Sequence, residues 1–224
     1  MLAVSLACSG SSSDNQENIS LRSYTPTLII TISAMRRTVY QLKSELPLPE
    51  DDVAQLVKDV VRECPSAFNS QSSRIVILFG EEHKKLWNIT KDRLKANLSA
   101  EAYQEAIKKV DNCFAPAAGT VLFFEDRAVV EQLQQTFKTY ADSFPVWSTE
   151  SSGMAQYAVW TALATKGIGA SLQHYSNLIR EAVAAEWKLP ATWEMHSQMP
   201  FGKALVGPGE KTYITDEERF RVFK

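Results

Sequence analysis

Apolar residues recur along the chain in two periods, and each period predicts a kind of element. Val53, Leu56, Val57, Val60 and Val61 return at helical spacing behind Glu50, Asp51 and Asp52, whose charges suit the positive end of a helix dipole. Arg74–Gly80 (RIVILFG) and Gly119–Glu125 (GTVLFFE) are nearly unbroken apolar runs of strand length, the pattern of strands buried on both faces. Helical patterns fill 81–98, 100–113 and 126–141, the second behind Ser99 as N-cap. The stretch 153–167 (GMAQYAVWTALATKG) is apolar nearly all round. It predicts a central core helix opened by Ser151 or Ser152 and stopped by Gly167 and Gly169. A short extended piece follows at 170–175. Ser176 then caps a helix that ends at Pro190, and 192–202 alternates as a third strand. Near the start, Ser33 predicts the N-cap of a helix over 34–43, broken by Leu46-Pro47-Leu48-Pro49. The tail, 207–224, reads as loop and then extended chain. Few strands among many helices predict an α+β fold, with one domain over 31–224.

Composition narrows the function classes. The chain has 224 residues, with 24 basic against 26 acidic side chains and a net charge of −2, which excludes a nucleic-acid partner for the chain as a whole. No apolar run approaches the ~20 residues of a spanning helix, so no membrane partner is expected. Cys8, Cys64 and Cys113 are widely spaced, which fits a reduced compartment and no metal cluster. His83, His174 and His196 lack metal-ligand spacing, so no metal is expected. His83 is read as solvated in a charged helix, and His196 faces either way. The first ten residues, MLAVSLACSG, hint at a secretory signal but lack a basic region. Arg22 and the Ser/Thr-rich stretch after it leave organelle targeting open, and Asp14 and Glu17 count against it. Residues 1–30 are expected to be a disordered extension outside the fold, and a cytoplasmic location is expected, with nuclear entry open.

Three stretches hold candidate chemistry. Cys64–Gln71 (CPSAFNSQ) is an uncharged polar loop between a helix and a strand. Ser66, Asn69, Ser70 and Gln71 offer hydroxyls and amides to a planar, phosphorylated cofactor; the plainer reading is a polar linker. Phe68 either stacks on a ring or anchors the loop. Arg36-Arg37-Thr38 at a helix start would form an anion site suited to a phosphate monoester; two solvated arginines are the alternative. Gly167-Ile168-Gly169-Ala170 lacks a third glycine and a preceding strand, so it is a helix stop and not a dinucleotide fingerprint. Gln173-His174-Tyr175 leaves backbone without a regular partner, where a ligand edge fits. Lys203 and Lys211 either add charge to an anion site or stay solvated. Cys64 or Ser66 with His174 would suggest a hydrolase, without any G-x-S-x-G elbow.

Taken in order, Arg36-Arg37-Thr38, the Pro65–Gln71 loop, the Gly167–Tyr175 segment and Lys211 resemble the nitroreductase family of flavoproteins. The strings RRT-x-Y-x-L, PSAFNSQ, LQHY and PGEKT look like its fungal branch of small oxidoreductases linked to fatty-acid and oxidative-stress responses. The resemblance implies a central mixed or antiparallel sheet flanked by helices, and an obligate homodimer with intertwined termini. It implies one FMN per subunit at the dimer interface. Arg36 and Thr38 would hold phosphate or ribityl oxygens, with Lys211 near the phosphate. Ser66, Asn69 and Gln71 would reach the flavin from their own or the partner subunit. The backbone at Gln173 and His174 would line the reactive N5 edge. The implied cofactor-binding set also includes Arg37, Tyr40, Pro65, Ala67 and Leu172. NADH or NADPH would deliver hydride and a nitroaromatic or quinone would accept it in ping-pong fashion, with the flavin N5 carrying the chemistry and no catalytic side chain. A non-catalytic flavin-binding regulator of lipid or stress signalling is the alternative. Three positions depart from the family pattern: Tyr40 stands where many relatives carry a cation, Gln173 where many are acidic, and Tyr213 where a second basic residue often follows the lysine.

Overall fold

The two unbroken apolar runs pair with each other in the computed structural model, which describes residues 26–224. They form β2 (Ser73–Phe79) and β3 (Gly119–Asp126), antiparallel, and β3 pairs on its other side with β5 (Trp193–Ala204). Two short strands, β1 (Leu42–Lys43) and β4 (Gly169–Ala170), join the far end of β5. The sheet is antiparallel with the order β1-β5-β3-β2, and β4 lies on β5 off that path.

Seven of the eight residues of β3 are buried, because both of its faces are covered. Val121 and Phe123 point into a cluster with Val53 and Val57 of α2 (Glu50–Arg62) and Val159 and Leu163 of α6 (Phe144–Thr165). Leu122 and Phe124 point the other way, onto Leu86 and Trp87 of α3 (Gly80–Asn97) and Ile179 and Val183 of α7 (Ser176–Glu186). The alternation of side chains along a strand makes this helix–sheet–helix sandwich from a sequence with no polar stripe.

Several predicted boundaries move, each for a local reason. α1 (Pro26–Met35) ends where Ser33 was expected to begin a helix. It also takes 26–30 out of the predicted extension; the signal and targeting readings and Cys8 lie outside the described residues. Arg36–Tyr40 is extended because it pairs with β4, through a parallel bridge between Thr38 and Ala170 and a Val39 N–H to Ala170 carbonyl bond of 2.9 Å. α6 begins at Phe144, with Pro in its first turn, and Ser151 and Ser152 are interior. Ser151 returns its hydroxyl to the Trp147 carbonyl at 2.8 Å, which lets a helix absorb the serine that was expected to open it. Ser99 caps α4 (Ala100–Lys109) as expected, and a π-helical turn, Val110–Phe114, follows. α5 (Arg127–Thr136) is shorter than predicted, and its cap is Asp126. Ser176 is the first residue of α7, behind Tyr175 as N-cap; its hydroxyl accepts from Gln198 Nε2 at 2.8 Å.

His83 is buried, not solvated: it is 1% exposed. Its Nε2 lies 3.2 Å from the Ala115 carbonyl, which can only accept, so Nε2 carries the proton. Nδ1 accepts from the Thr120 hydroxyl at 2.9 Å, and that oxygen accepts from Trp87 Nε1 at 3.1 Å. Burial pushes the imidazole pKa down to about 4. Among the described residues, no helix is long and apolar enough to cross a membrane, and no group of His, Cys, Asp or Glu is arranged to hold a metal ion.

Candidate functional site

Arg36, Arg37 and Thr38 follow a helix C-terminus, so the helix-start argument for an anion site fails here. A different device replaces it. The Arg36 guanidinium sits 4.5 Å from the centroid of the Trp160 ring and 5.8 Å from that of Tyr157, both on α6. The Tyr157 hydroxyl donates to Ser33 Oγ at 2.7 Å. Arg36 Nε and Trp160 Nε1 are buried donors with no partner, and buried donors rarely stay unpaired. A cation steered by two ring faces, with an unused N–H, suits an anionic ligand such as the FMN phosphate. Arg37 donates to the Gly209 carbonyl, which draws the tail that carries Lys211 toward the same end. Lys211 itself is exposed, 4.9 Å from the Tyr213 ring centroid. Lys203 is not available to an anion: it pairs with Glu45 at 2.6 Å. Hydrogen bonds from Lys203, then from Lys43, hold the Glu45 carboxyl down to about 2.

The Thr38–Ala170 bridge also sets the segment 170–174 beside Arg36. Here one expectation is corrected. The Gln173 backbone is not free, because its N–H donates to Gln198 at 2.7 Å and its carbonyl accepts from the Gln198 N–H at 2.9 Å. Tyr175 N–H donates to the Gln198 side chain at 2.7 Å. In an antiparallel bridge the flanking residues turn their backbone groups the other way. Leu172 and His174 therefore present their N–H groups away from β5, and those two amides are the ones open to a ligand edge. A basic group from elsewhere in the sequence lies beside Tyr40. Lys109, at the end of α4, places its ammonium 5.3 Å from the Tyr40 ring centroid and 5.7 Å from that of Phe114.

The Cys64–Gln71 loop is strained and heavily anchored. Phe68, Asn69 and Gln71 hold φ of 57°, 50° and 47°, a region that costs L-residues roughly 1–2 kcal/mol each, less for asparagine. Phe68 anchors the loop: it lies 4.9 Å from Phe137, 5.3 Å from Phe144 and, stacked, 5.9 Å from Trp147. Ser66 Oγ accepts from Gln71 N–H at 2.9 Å. Asn69 and Gln71 are exposed, Ser66 and Ala67 are half-buried and Pro65 is exposed. Pro65, Ser66 and Gln71 line a cavity of about 630 Å³ with Val57, Ile75 and Ile77. The hydrolase pair does not form. The Cys64 thiol donates to the Val60 carbonyl at 3.3 Å and burial raises its pKa, the reverse of an activated nucleophile.

α6 measures the distance between these two regions. Phe68 is seated on Trp147 and Arg36 on Trp160; at ~1.5 Å per residue those seats are about 20 Å apart. The structure thus gathers Arg36–Tyr40, Leu172–His174, Lys109 and the Arg37-tethered tail at one end; the loop starts near them, since Cys64 and Pro65 line a cavity with Tyr157, and runs to the Phe68 seat on Trp147. Tyr157, Trp160 and Lys109 were not legible as site residues. Trp160 had the pattern of a core residue, and nothing in the sequence ties Lys109 to Tyr40.

Comparison with known proteins agrees with this architecture. The family model described as the nitroreductase family matches residues 34–203. The nitroreductase FRM2 of Saccharomyces cerevisiae is 39% identical over 183 residues, covering 81% of this chain and 90% of FRM2. The nitroreductase CinD of Lactococcus lactis, solved in complex with chloramphenicol, is 46% identical with a TM-score of 0.80, covering 88% of this chain and 100% of CinD. A Desulfitobacterium hafniense nitroreductase with bound FMN shares the fold at 15% identity and a TM-score of 0.63, covering 87% and 97% of the two chains. The chain belongs to the nitroreductase family. Its fold is the α+β nitroreductase fold with a five-stranded antiparallel sheet, its general role is that of an oxidoreductase, and the fungal branch fits.

Proposed function

We propose that this protein is a homodimeric FMN oxidoreductase that draws on NADH or NADPH and reduces nitroaromatic or quinone acceptors. The observation that carries the reading is Arg36. It is a cation seated on Trp160 with a buried, unpaired Nε, on the strand that runs beside the outward amides of Leu172 and His174. One anion-binding group and a row of backbone donors fit a phosphorylated planar cofactor. When bound, FMN supplies the hydride chemistry. Arg36 and Thr38 hold the phosphate and ribityl end, with Lys211 close by. The Leu172 and His174 N–H groups orient the ring edge. Lys109 stands in for the cation missing at position 40 and stabilises negative charge at the pyrimidine end.

The dimer is part of the proposal. Phe68, beside Asn69, is seated about 20 Å along α6 from the Arg36 seat, and a second copy would bring the loop's side chains to the cofactor. The tail supports this. Tyr213 is 71% exposed, Val222 77% and Phe223 91%, an apolar surface that a second chain would cover. CinD was solved with chloramphenicol and with 4-nitrophenol, which makes nitroaromatics the first acceptors to test. Purified protein should be yellow and release FMN on denaturation. Anaerobic NADH or NADPH should bleach it, and 4-nitrophenol or a quinone should restore the colour. A colourless protein that FMN does not reconstitute would sink the reading; a yellow protein that neither nucleotide bleaches would leave a flavin-binding regulator.

A further inference from the structure

Glu125 is the one acidic residue among the buried side chains of the described chain, at 1% exposure, and no cation pairs with it. Its carboxylate accepts instead from three hydroxyls: Ser72 Oγ and Ser73 Oγ, each at 2.5 Å, and Ser148 Oγ at 2.8 Å. A buried carboxylate is costly to keep unless every lone pair is used. Its three donors come from two places that matter. Ser72 joins the strained loop to β2 and Ser73 begins β2, and Ser148 lies on α6, one residue from the Trp147 that seats Phe68. Ser70 Oγ, inside the loop, is 3.4 Å from Ser72 Oγ. The Ser72 carbonyl also accepts from Asp126 N–H at 2.9 Å. The register of β3 against β5 shifts between Phe123 and Phe124, and such an irregularity re-aims the side chains beside it.

The loop needs such a clamp. Of the four non-glycine residues with positive φ among those described, three are Phe68, Asn69 and Gln71. Strain of this kind persists only where its surroundings over-determine the conformation. The aromatic seat fixes Phe68, and its partner at the other end of the loop is Glu125. We propose that Glu125 is a positioning residue: through Ser72 and Ser73 it locks the 66–71 loop with Phe68, Asn69 and Gln71 in left-handed backbone, so that Asn69 and Gln71 present their side chains in fixed directions to FMN. This rests on the flavin reading above, and the test separates the two.

Three variants are compared as full-length protein: Glu125→Gln, Ser72→Ala, and Leu94→Ala in the cluster on the opposite face of the sheet. The first readout is amide hydrogen exchange at 66–72 without cofactor. The second is the Kd for FMN from quenching of flavin fluorescence. Glu125→Gln and Ser72→Ala should each speed exchange of the loop amides and weaken FMN at least tenfold. Leu94→Ala should lower the melting temperature yet leave loop exchange and FMN affinity near wild type. Unchanged loop exchange in the first two variants overturns the clamp. Faster exchange with unchanged FMN affinity overturns the positioning role. Equal loss of FMN affinity in Leu94→Ala would reduce the effect to general stability, and also overturns it. If wild-type protein binds no FMN, the oxidoreductase reading falls, and the exchange measurement still decides whether Glu125 sets the loop.

Discussion

Single residues carry the sharpest expectations. His83 is held neutral in the fold, with its pKa lowered from 6.5 to about 4. A lowered histidine pKa means that the unfolded chain takes up the proton first. The stabilisation is therefore complete above about pH 6.5 and is lost as the pH falls toward 4, on the order of 3 kcal/mol in all. Urea unfolding midpoints across that window should show the slope, and a His83→Asn variant should flatten it. Lys109→Gln should lower the flavin midpoint potential by about 20–40 mV, the two-electron equivalent of ~1–2 kcal/mol; an unchanged potential would remove Lys109 from the site. The two residues also show what the sequence could reveal. His83 falls on the same helical face as Leu86, Trp87, Thr90 and Leu94, all buried, and that spacing was readable beneath the charges of Glu82, Lys84 and Lys85. No spacing could have placed Lys109 over Tyr40, because the two meet only through the packing of α4 against the chain before β1.

At the scale of elements, the three long strands and most helices were legible; the helix starts and the two short strands, β1 and β4, were not. Burial on both faces marks β3 by composition alone, whereas β2, read the same way, is the edge strand of the sheet and only Leu78 in it is buried. The start of α6 was hidden because serines signal a cap in sequence, while in the structure the Ser151 hydroxyl bonds back into the helix and Ser148 turns to Glu125. Arg36–Tyr40 was misread as helix because its pairing partner, Ala170, lies far along the chain. The neighbouring pairing of β1 with β5 depends on a close approach at Gly202, where an added Cβ would run into the Lys43 carbonyl and lie 3.0 Å from the Ala118 nitrogen. Both obstacles are backbone, so Gly202→Ala should destabilise the protein by roughly 1–3 kcal/mol. It should also loosen β1 and β4 from β5 and weaken FMN binding with them. Chemical denaturation and flavin titration on the one variant would check both effects.

On the scale of the whole molecule, the order of the motifs was readable but their distribution in space was not. Four stretches suggested one site; in one chain the loop runs from beside Tyr157 to Trp147, away from the Arg36 seat. Removing the tail after Gly207 should therefore abolish both self-association and flavin binding while leaving the helix–sheet–helix core folded, since every residue from 203 to 224 is exposed. Sedimentation and circular dichroism would report the outcome, and a truncated protein that stayed dimeric would rule out the tail as the clasp.

The seat beneath Phe68 has an optical consequence. Phe68, Phe137, Tyr140, Phe144 and Trp147 lie ring to ring, with Phe68 and Trp147 inclined by only 19° and Tyr140 5.9 Å from Trp147. Rings fixed at such distances in a chiral array give near-ultraviolet dichroism. Phe68→Leu should erase part of that band, so the loop beside the proposed flavin site carries its own spectroscopic label, and its conformation can be followed without adding a probe.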